Sequence, residues 1–211
     1  IRPGDAIDES TEEIEHGLEV LTSSPIVLLD KSELLTREQA RYRLGIPLEC
    51  RAVYVQLGAG QINDISSEIR MTLDALLKYE NLHVILGESM IGDRIDIEMP
   101  NLHIIRDYPN SQYFNGFDAV IQAGGYNSFH ETRAFGLSAL FYPNMETGMD
   151  DQLARCKIAE EEGWGIVVPN RSRESIDESI HSLLEQNNRS EYAVYENGAS
   201  LLAKKLLEER L

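Results

Sequence analysis

A glycine turn followed by a carboxylate is the stretch of this sequence best suited to hold a ligand. Gly124 and Gly125 end an apolar run, and Asn127, Ser128 and Glu131 follow where a helix is expected to begin. Glycines let the backbone approach a ligand, and the N–H groups of a helix N-terminus bind anions without Lys or Arg. A carboxylate one helical turn further on can accept two hydrogen bonds from a ribose diol. The turn could therefore recognise a nucleotide sugar, or it could be only a capping pattern, with Glu131 favoured by the helix dipole.

Two further loops carry residues that suit the same ligand. Gly58 and Gly60 follow an expected strand, where a Gly-x-Gly turn either approaches a phosphate or is only a tight turn. It is not a full dinucleotide fingerprint, because the third glycine is missing. Asp150, Asp151 and Gln152 follow another strand, and their carboxylates could cap a helix, bind a metal or accept hydrogen bonds from sugar hydroxyls. Because no histidine joins them at metal-ligand spacing, we predict no metal site. No other cofactor is expected.

Other polar residues have both a functional and a structural interpretation. Arg155 could pair with Asp151 or with a phosphate. Arg106 and Tyr108 could pack on a nucleobase, or they could belong to a plain loop turned by the proline that follows. His130 directly precedes a glutamate, but adjacent helix residues do not face each other, so no catalytic dyad is predicted.

The composition narrows the classes of partner. The 211-residue chain has 36 acidic and 19 basic residues and a net charge of -17, so it lacks the basic footprint of a nucleic-acid-binding protein. The same charge disfavours direct contact with an anionic membrane. Cys50 and Cys156 are isolated, which indicates reduced, structural cysteines in a cytoplasmic protein. The chain begins with Ile1, from which we expect a fragment or a processed product.

Short apolar strands that alternate with amphipathic helices predict an α/β fold, a Rossmann-like doubly wound parallel sheet. Ligands bind such sheets beyond the carboxyl ends of the strands. The predicted strands are 25–30, 51–58, 82–87, 102–108, 117–125, 139–143 and 165–169. The predicted helices are 36–46, one from Asp64 onward, 110–116, 127–135, 150–162, 172–187 and roughly 189–209.

Three regions are expected along the chain. Residues 1–24 are an acidic interdomain segment, either a solvated linker or a short amphipathic helix built on Ile14, Leu18 and Leu21. Residues 25–188 form the ligand-binding domain. Residues 189–211 form a C-terminal helix that packs back on the domain or toward a missing N-terminal half.

Four stretches, taken in order, resemble the C-terminal half of glycosyltransferases of the GT-B fold. They are TREQARYRLGIP, VQLGAG, IQAGGYNSFHETRAFGLSALFYPN and DDQLARCKIAEEEGWGIVV, and they span most of residues 25 to 170. The chain is most similar to the bacterial N-acetylglucosaminyltransferases of peptidoglycan-precursor synthesis and to the soluble catalytic subunit of the eukaryotic two-chain dolichol-linked enzyme.

The resemblance implies a role for each candidate residue. Glu131 would accept the ribose hydroxyls of a UDP-sugar, and Asp151 and Gln152 would contact the donor sugar. Arg106 would lie near the base edge. The diphosphate would be held by the glycine turns and the helix N-terminus, which involve Gly58, Gly60, Gly124, Gly125, Asn127 and Ser128.

The resemblance also implies what the chain lacks. In these families the catalytic base comes from an N-terminal half, so this chain alone is expected to be inactive and to need that half in the same polypeptide or as a partner subunit. Peripheral membrane association would come only through that half. Two alternatives stay open, a nucleotide-sugar hydrolase on the same scaffold and a non-catalytic nucleotide-sugar-binding domain.

Overall fold

The computed structural model describes residues 22–57, 66–88, 97–145, 150–186 and 197–208, together with the pairs 2–3, 14–15 and 18–19. Its centre is a six-stranded parallel sheet with helices on both faces, which confirms the predicted fold class. The strands are β1 (Arg51–Gln56), β2 (Leu82–Gly87), β3 (Leu102–Ile105), β4 (Ala119–Gln122), β5 (Ser138–Phe141) and β6 (Gly165–Val167).

The order of the strands across the sheet is β6-β5-β4-β1-β2-β3. The chain therefore winds outward from β1 in one direction, returns to the centre with β4, and continues in the other direction. β1 and β4 are adjacent, with Val53 opposite Ala119 and Gln56 opposite Gln122. In doubly wound sheets the crevice at this reversal is where ligands bind.

The described residues contain six α-helices, and most of them fall close to the predicted ranges. They are α1 (Arg37–Leu44), α2 (Ser66–Leu76), α3 (Tyr126–Ala134), α4 (Gln152–Glu161), α5 (Arg173–Glu185) and α6 (Gly198–Glu208). The predicted helix start at Asp64 and residues 189–196 of the last predicted helix lie outside the described residues. The predicted helix at 110–116 is a 3-10 helix, Asn110–Gly116. Helix α1 begins as expected, because Thr36 Oγ1 accepts a hydrogen bond from Gln39 N, and it ends at Gly45 in the left-handed conformation, φ 68°.

The sheet separates two apolar cores. On one face the strands pack under α2 and α5, around residues such as Leu73, Leu86 and Ile180. On the other face they pack under α1, the 110–116 helix, α3 and α4, around an aromatic cluster that includes Phe129 and Trp164. The glycine turn that ends β4 leads into α3, on this second face.

A buried arginine joins α1 to the amino ends of the central strands. Arg41 has no exposed surface, and its Nη2 lies 2.8 Å from Asp118 Oδ2. Asp118 also accepts a hydrogen bond from Ala52 N at 2.8 Å. The other two guanidinium nitrogens of Arg41 donate to four backbone carbonyls. Nε donates to Gly116 O at 2.9 Å, and Nη1 donates to the carbonyls of Pro47, Leu48 and Cys50 at 2.7, 2.8 and 2.5 Å. The network fixes the helix and the loop that follows it.

Two predicted elements near the start of the chain are wrong. Residues 25–30 form no strand of the sheet but an irregular segment that bends at residues 28 and 29, in which buried Pro25 and Val27 alternate with exposed Ile26 and Leu28. The apolar run therefore covers a surface on one side instead of being buried on both. The helix proposed on Ile14 and Leu18 is absent as well, because Ile14–Glu15 and Leu18–Glu19 pair as antiparallel strands. Three apolar residues at helical spacing are weak evidence, since so short a helix is marginal in water.

Candidate nucleotide pocket

A cavity of about 370 Å³ opens at the carboxyl ends of β1 and β4, at the reversal of the strand order. This volume lies within the range of small-molecule sites. Its walls come from the segment 25–28, the two central strands, the 3-10 helix and α3. The lining residues are Ile26, Val27, Leu28, Tyr54, Gln56, Tyr108, Pro109, Asn110, Ser111, Phe114, Val120, Gln122, Asn127, Ser128, Glu131 and Thr132.

Glu131 is the one charged residue among the described residues that line the cavity. Its Oε1 accepts a hydrogen bond from Ser111 Oγ at 3.0 Å. Burial raises the pKa of Glu131, and the hydrogen bond from Ser111 acts in the opposite direction. A partly desolvated carboxylate held in one orientation is suited to accept hydrogen bonds from neutral hydroxyl groups.

Neutral polar side chains form another part of the cavity lining. Tyr54 Oη donates to Gln56 Oε1 at 2.8 Å and accepts from Asn110 Nδ2 at 2.9 Å. Burial raises the pKa of Tyr54, so the hydroxyl stays protonated. A side chain at Gly87 would collide with the Tyr54 ring and hydroxyl, which explains a glycine at the end of β2.

Gln122 joins the cavity to α3. Its Nε2 donates to Thr132 Oγ1 at 2.8 Å and to Ser128 O at 3.3 Å, while its Oε1 is buried with no partner among the described residues. The side chain is 4% exposed, so the position of α3 relative to β4 is fixed by a buried amide.

The N-terminus of α3 is open. Gly125 is the N-cap residue and no side chain caps the helix, whereas Thr36, Asp151 and Ser172 cap α1, α4 and α5. Asn127 and Ser128 lie in the first turn and do not cap, so the capping alternative is wrong for them. A Cβ atom at Gly125 would meet nothing within 4 Å, so the space above the turn is free of described side chains.

Helix α4 contacts the glycine turn through the side chain of Arg155. Arg155 Nη1 donates to Gly124 O at 3.0 Å, and its Nη2 pairs with Asp150 Oδ1 at 2.5 Å. The predicted pair with Asp151 is therefore wrong. Asp151 instead caps α4, where its Oδ1 accepts from Ala154 N at 2.9 Å. A carboxylate at the N-cap position is already committed to the helix, so the arginine reaches the next acceptor upstream.

The other candidate residues lie outside the cavity lining or outside the described residues. Gly58 and Gly60 belong to the second group. Gln152 is buried, and its amide is occupied by Asn144 N at 3.0 Å and by an Asp150 oxygen at 3.3 Å. Arg106 lies 3.9 Å from Glu88 in an ion pair, and Tyr108, 71% exposed, lines the cavity in its place.

Several residues that line the cavity are not identified as site residues from the sequence. The sequence patterns identify Tyr54 only as a strand residue, and Asn110 and Ser111 only as part of a short helix. The polar pair directly after a proline was a usable signal for the latter two. The segment 25–28 gave none, because its apolar residues are equally typical of a buried strand.

His130 is a structural residue in this arrangement. It is 1% exposed and packs against the Tyr126 and Phe129 rings. Burial, with Arg155 and Arg133 nearby, lowers the pKa of His130 to about 4, so the ring is neutral at physiological pH.

The described part of the chain has neither a metal-ligating cluster nor a membrane-spanning helix. There, no group of three or more His, Cys, Asp or Glu side chains lies close enough to hold a metal ion. None of the described helices is long and apolar enough to cross a bilayer.

The sheet order and its covering helices define a class. Solved structures with a similar fold are glycosyltransferases of the GT-B fold. The spinosyn rhamnosyltransferase SpnG superposes with a TM-score of 0.58 at 18% identity, covering 80% of this chain and 43% of the enzyme. Its complex with thymidine diphosphate gives 0.57 at 18% identity, with 76% and 41% covered. The calicheamicin glycosyltransferase CalG4 gives 0.56 at 18% identity, with 88% and 43% covered.

These likenesses concern the fold, because the identities are low. The chain spans about two fifths of the length of these enzymes. No protein-family profile matches the sequence, and no curated protein matches it. The proposed kinship with the peptidoglycan-precursor enzymes thus rests on the sequence stretches alone.

Proposed function

We propose that this chain is the donor-binding domain of a glycosyltransferase that transfers a sugar from a nucleoside-diphosphate sugar, with UDP as the expected nucleotide. One observation carries the proposal. A half-buried carboxylate, Glu131, lines the cavity at the strand-order reversal, in the second turn of α3 after its uncapped N-terminus. A nucleotide sugar carries a ribose diol next to a diphosphate. The diol needs a hydrogen-bond acceptor and the diphosphate needs an anion-binding site, and this part of the cavity offers both.

The charges of the site support a division of the ligand between two places. The described cavity lining has no cation and a single carboxylate, so it suits the neutral nucleoside, with Glu131 accepting from the ribose hydroxyls. The diphosphate suits the N-terminus of α3, where backbone N–H groups and the helix dipole attract anions. Gly124 and Gly125 would allow its approach, and Asn127 and Ser128 would add side-chain donors.

The positions of the remaining candidate residues favour some of them over others for contacts with the base and the sugar. Tyr108 is better placed than Arg106 to pack on the base, because it lines the cavity. Asp151 is better placed than Gln152 to reach sugar hydroxyls, because it is exposed whereas both ends of the Gln152 amide are engaged. Gly58 and Gly60 follow β1 at the same edge of the sheet, and we keep them as phosphate-side residues.

The full reaction is proposed to need a second half, which would supply the catalytic base, the acceptor site and any contact with a membrane. The donor half would stabilise the leaving diphosphate through backbone donors and the dipole of α3, without a metal. Cytoplasmic nucleotide sugars would be the donors. We therefore expect this chain to bind the nucleotide and to turn over little donor by itself.

Nucleotide binding should depend on Glu131. We expect one nucleotide in a panel of UDP, dTDP and GDP to stabilise the parent chain, by about 2.7 kcal/mol at a concentration 100 times Kd. The Glu131→Gln variant should bind it at least about tenfold more weakly, because hydrogen bonds to charged groups contribute about 1.5–3 kcal/mol. Thermal shift and calorimetric titration measure both effects.

A matched control removes the same charge elsewhere. Glu178 is exposed on α5, and Glu178→Gln should bind like the parent. If UDP is the ligand, the loss in Glu131→Gln should be greater for UDP than for its 2′-deoxy analogue. A parent chain stabilised by no nucleotide would contradict the proposed function, whereas an unchanged Kd in Glu131→Gln would contradict only the role of Glu131.

The raised pKa of Glu131 gives a pH dependence. Because the folded protein holds this proton more tightly than the unfolded chain does, the ionised carboxylate destabilises the fold above its folded pKa, and the penalty disappears as pH falls below the unfolded pKa. Glu131→Gln should therefore be more stabilising relative to the parent at neutral than at mildly acidic pH. Urea unfolding of both proteins at the two pH values tests this, and an equal difference would contradict it.

A further inference from the structure

The segment 25–28, here named the wall segment, forms one side of the cavity without belonging to the sheet. Ile26, Val27 and Leu28 all line the cavity. Ile26 and Leu28 are about half exposed, whereas Val27 is 5% exposed. The position of this wall is therefore set by whatever holds the backbone of Val27.

A single side-chain amide takes the place of a neighbouring strand. Asn197 Nδ2 donates to Val27 O at 3.0 Å, and Asn197 Oδ1 accepts from Val27 N at 3.4 Å. The next residue continues the pairing, because Gly198 N donates to Pro25 O at 3.1 Å. A Cβ at Gly198 would collide with Ser24 O, so the start of α6 lies directly against the wall segment.

The amide of Asn197 is itself fixed by two more bonds. Its Nδ2 also donates to Asp30 Oδ1 at 2.9 Å, and its Oδ1 also accepts from Ala199 N at 3.2 Å. Each end of the amide thus has one partner in the wall segment and one outside it. Reversing the amide would place donors against donors, so the network determines its orientation.

We infer that Asn197 is a positioning residue that holds the wall segment in the cavity lining, so that α6 controls the width of the nucleotide site. This inference rests on the proposed function. Without the amide, the wall segment samples positions in which the cavity is not shaped for the nucleoside. The apparent Kd then rises by the inverse of the fraction that stays competent.

The first test compares two variants that both lose a bond at a helix start. Ser172 Oγ accepts from Ser175 N at the start of α5, away from the cavity, as Asn197 accepts from Ala199 N at the start of α6. We expect Ser172→Ala to lower Tm slightly and to leave the Kd unchanged. Asn197→Ala should raise the Kd for UDP, or for whichever nucleotide of the panel binds the parent, by about tenfold. A parental Kd in Asn197→Ala overturns the inference.

A charge-based variant separates positioning from simple stability. Asn197→Asp keeps an acceptor for Val27 N but cannot donate to Val27 O, and it places a second carboxylate beside Asp30. We expect weaker nucleotide binding that is partly restored by Asp30→Asn in the same chain, since that amide can donate to the new carboxylate. No restoration in the double variant would count against the geometry inferred here.

Hydrogen exchange of the Val27 amide tests the positioning role of Asn197 without a ligand. The Val27 amide should exchange faster in Asn197→Ala than in the parent or in Ser172→Ala, and equal exchange in all three overturns the inference. If the parent binds none of the nucleotides, the proposed function fails while the exchange result still shows whether Asn197 holds the wall segment. Faster exchange with an unchanged Kd would refute the control of the site by α6.

Discussion

Replacing Arg41 with alanine is expected to lower the free energy of unfolding by about 3–5 kcal/mol, because it removes a fully buried guanidinium that pairs with the partly exposed Asp118 and donates to backbone carbonyls that would lose their partner. The change leaves Asp118 without its buried cation and deprives four backbone carbonyls of their donor. Urea unfolding of the variant measures the loss. For a chain of marginal stability, such a loss is a large part of the total.

Arg37 provides the matched control, because it pairs with the same carboxylate. Its Nη2 lies 2.7 Å from Asp118 Oδ1, but its side chain is 34% exposed. We expect Arg37→Ala to cost at most about 1 kcal/mol, as exposed ion pairs do. Arg41→Lys keeps the charge but not the fork of donors, so it should fall between the two. Equal losses for the alanine variants at both arginines would show that burial does not determine the effect.

Replacing Gly124 with alanine should destabilise the protein by roughly 2–4 kcal/mol, through left-handed backbone strain together with overpacking. The residue has φ +82°, and a Cβ there would collide with the Cys156 sulfur. The buried thiol cannot move away easily, because α4 packs tightly beneath the turn. The same strain should distort the N-terminus of α3 and weaken nucleotide binding, which unfolding and titration experiments report separately.

Two further variants separate the backbone strain of Gly124→Ala from its collision with Cys156. Gly125→Ala should change stability by less than about 0.5 kcal/mol, because Gly125 has φ -58° and open space around it. In a Cys156→Ala background, Gly124→Ala should cost only the backbone component of about 1–2 kcal/mol. A cost that is undiminished in that background would show that Cys156 is not the obstacle.

Much of the fold follows from local patterns in the sequence. The alternation of short apolar runs with helical periodicity predicts a parallel sheet covered on both faces. The bounds of the six sheet strands agree with this prediction to within a few residues, whereas the predicted strand 25–30 does not form. Thr36 and Gly45 fix the ends of α1 from sequence alone, since a cap and a left-handed glycine act within one turn of the chain. The glycine turn after β4 was also placed correctly, at the edge of the sheet where ligands bind.

The candidate site was predictable only in part. Three predicted residues line the cavity, as expected for the first turns of a helix that follows β4: Asn127, Ser128 and Glu131. Ser111, which orients Glu131, is 20 residues away in sequence, and no local pattern connects the two. Arg155 had several acceptors within reach along the chain, and only packing of the elements selects Asp150 and Gly124.

The wall segment shows the same division most clearly. Its residues PIVLLD have the composition of a buried strand, and the sequence by itself determined only that they would cover apolar surface. The tertiary structure decided that they lie outside the sheet, because Asn197, 170 residues away from Val27, supplies the hydrogen bonds that a strand would have supplied. Secondary structure depends on neighbours along the chain, whereas the partner of a backbone group depends on which elements pack together.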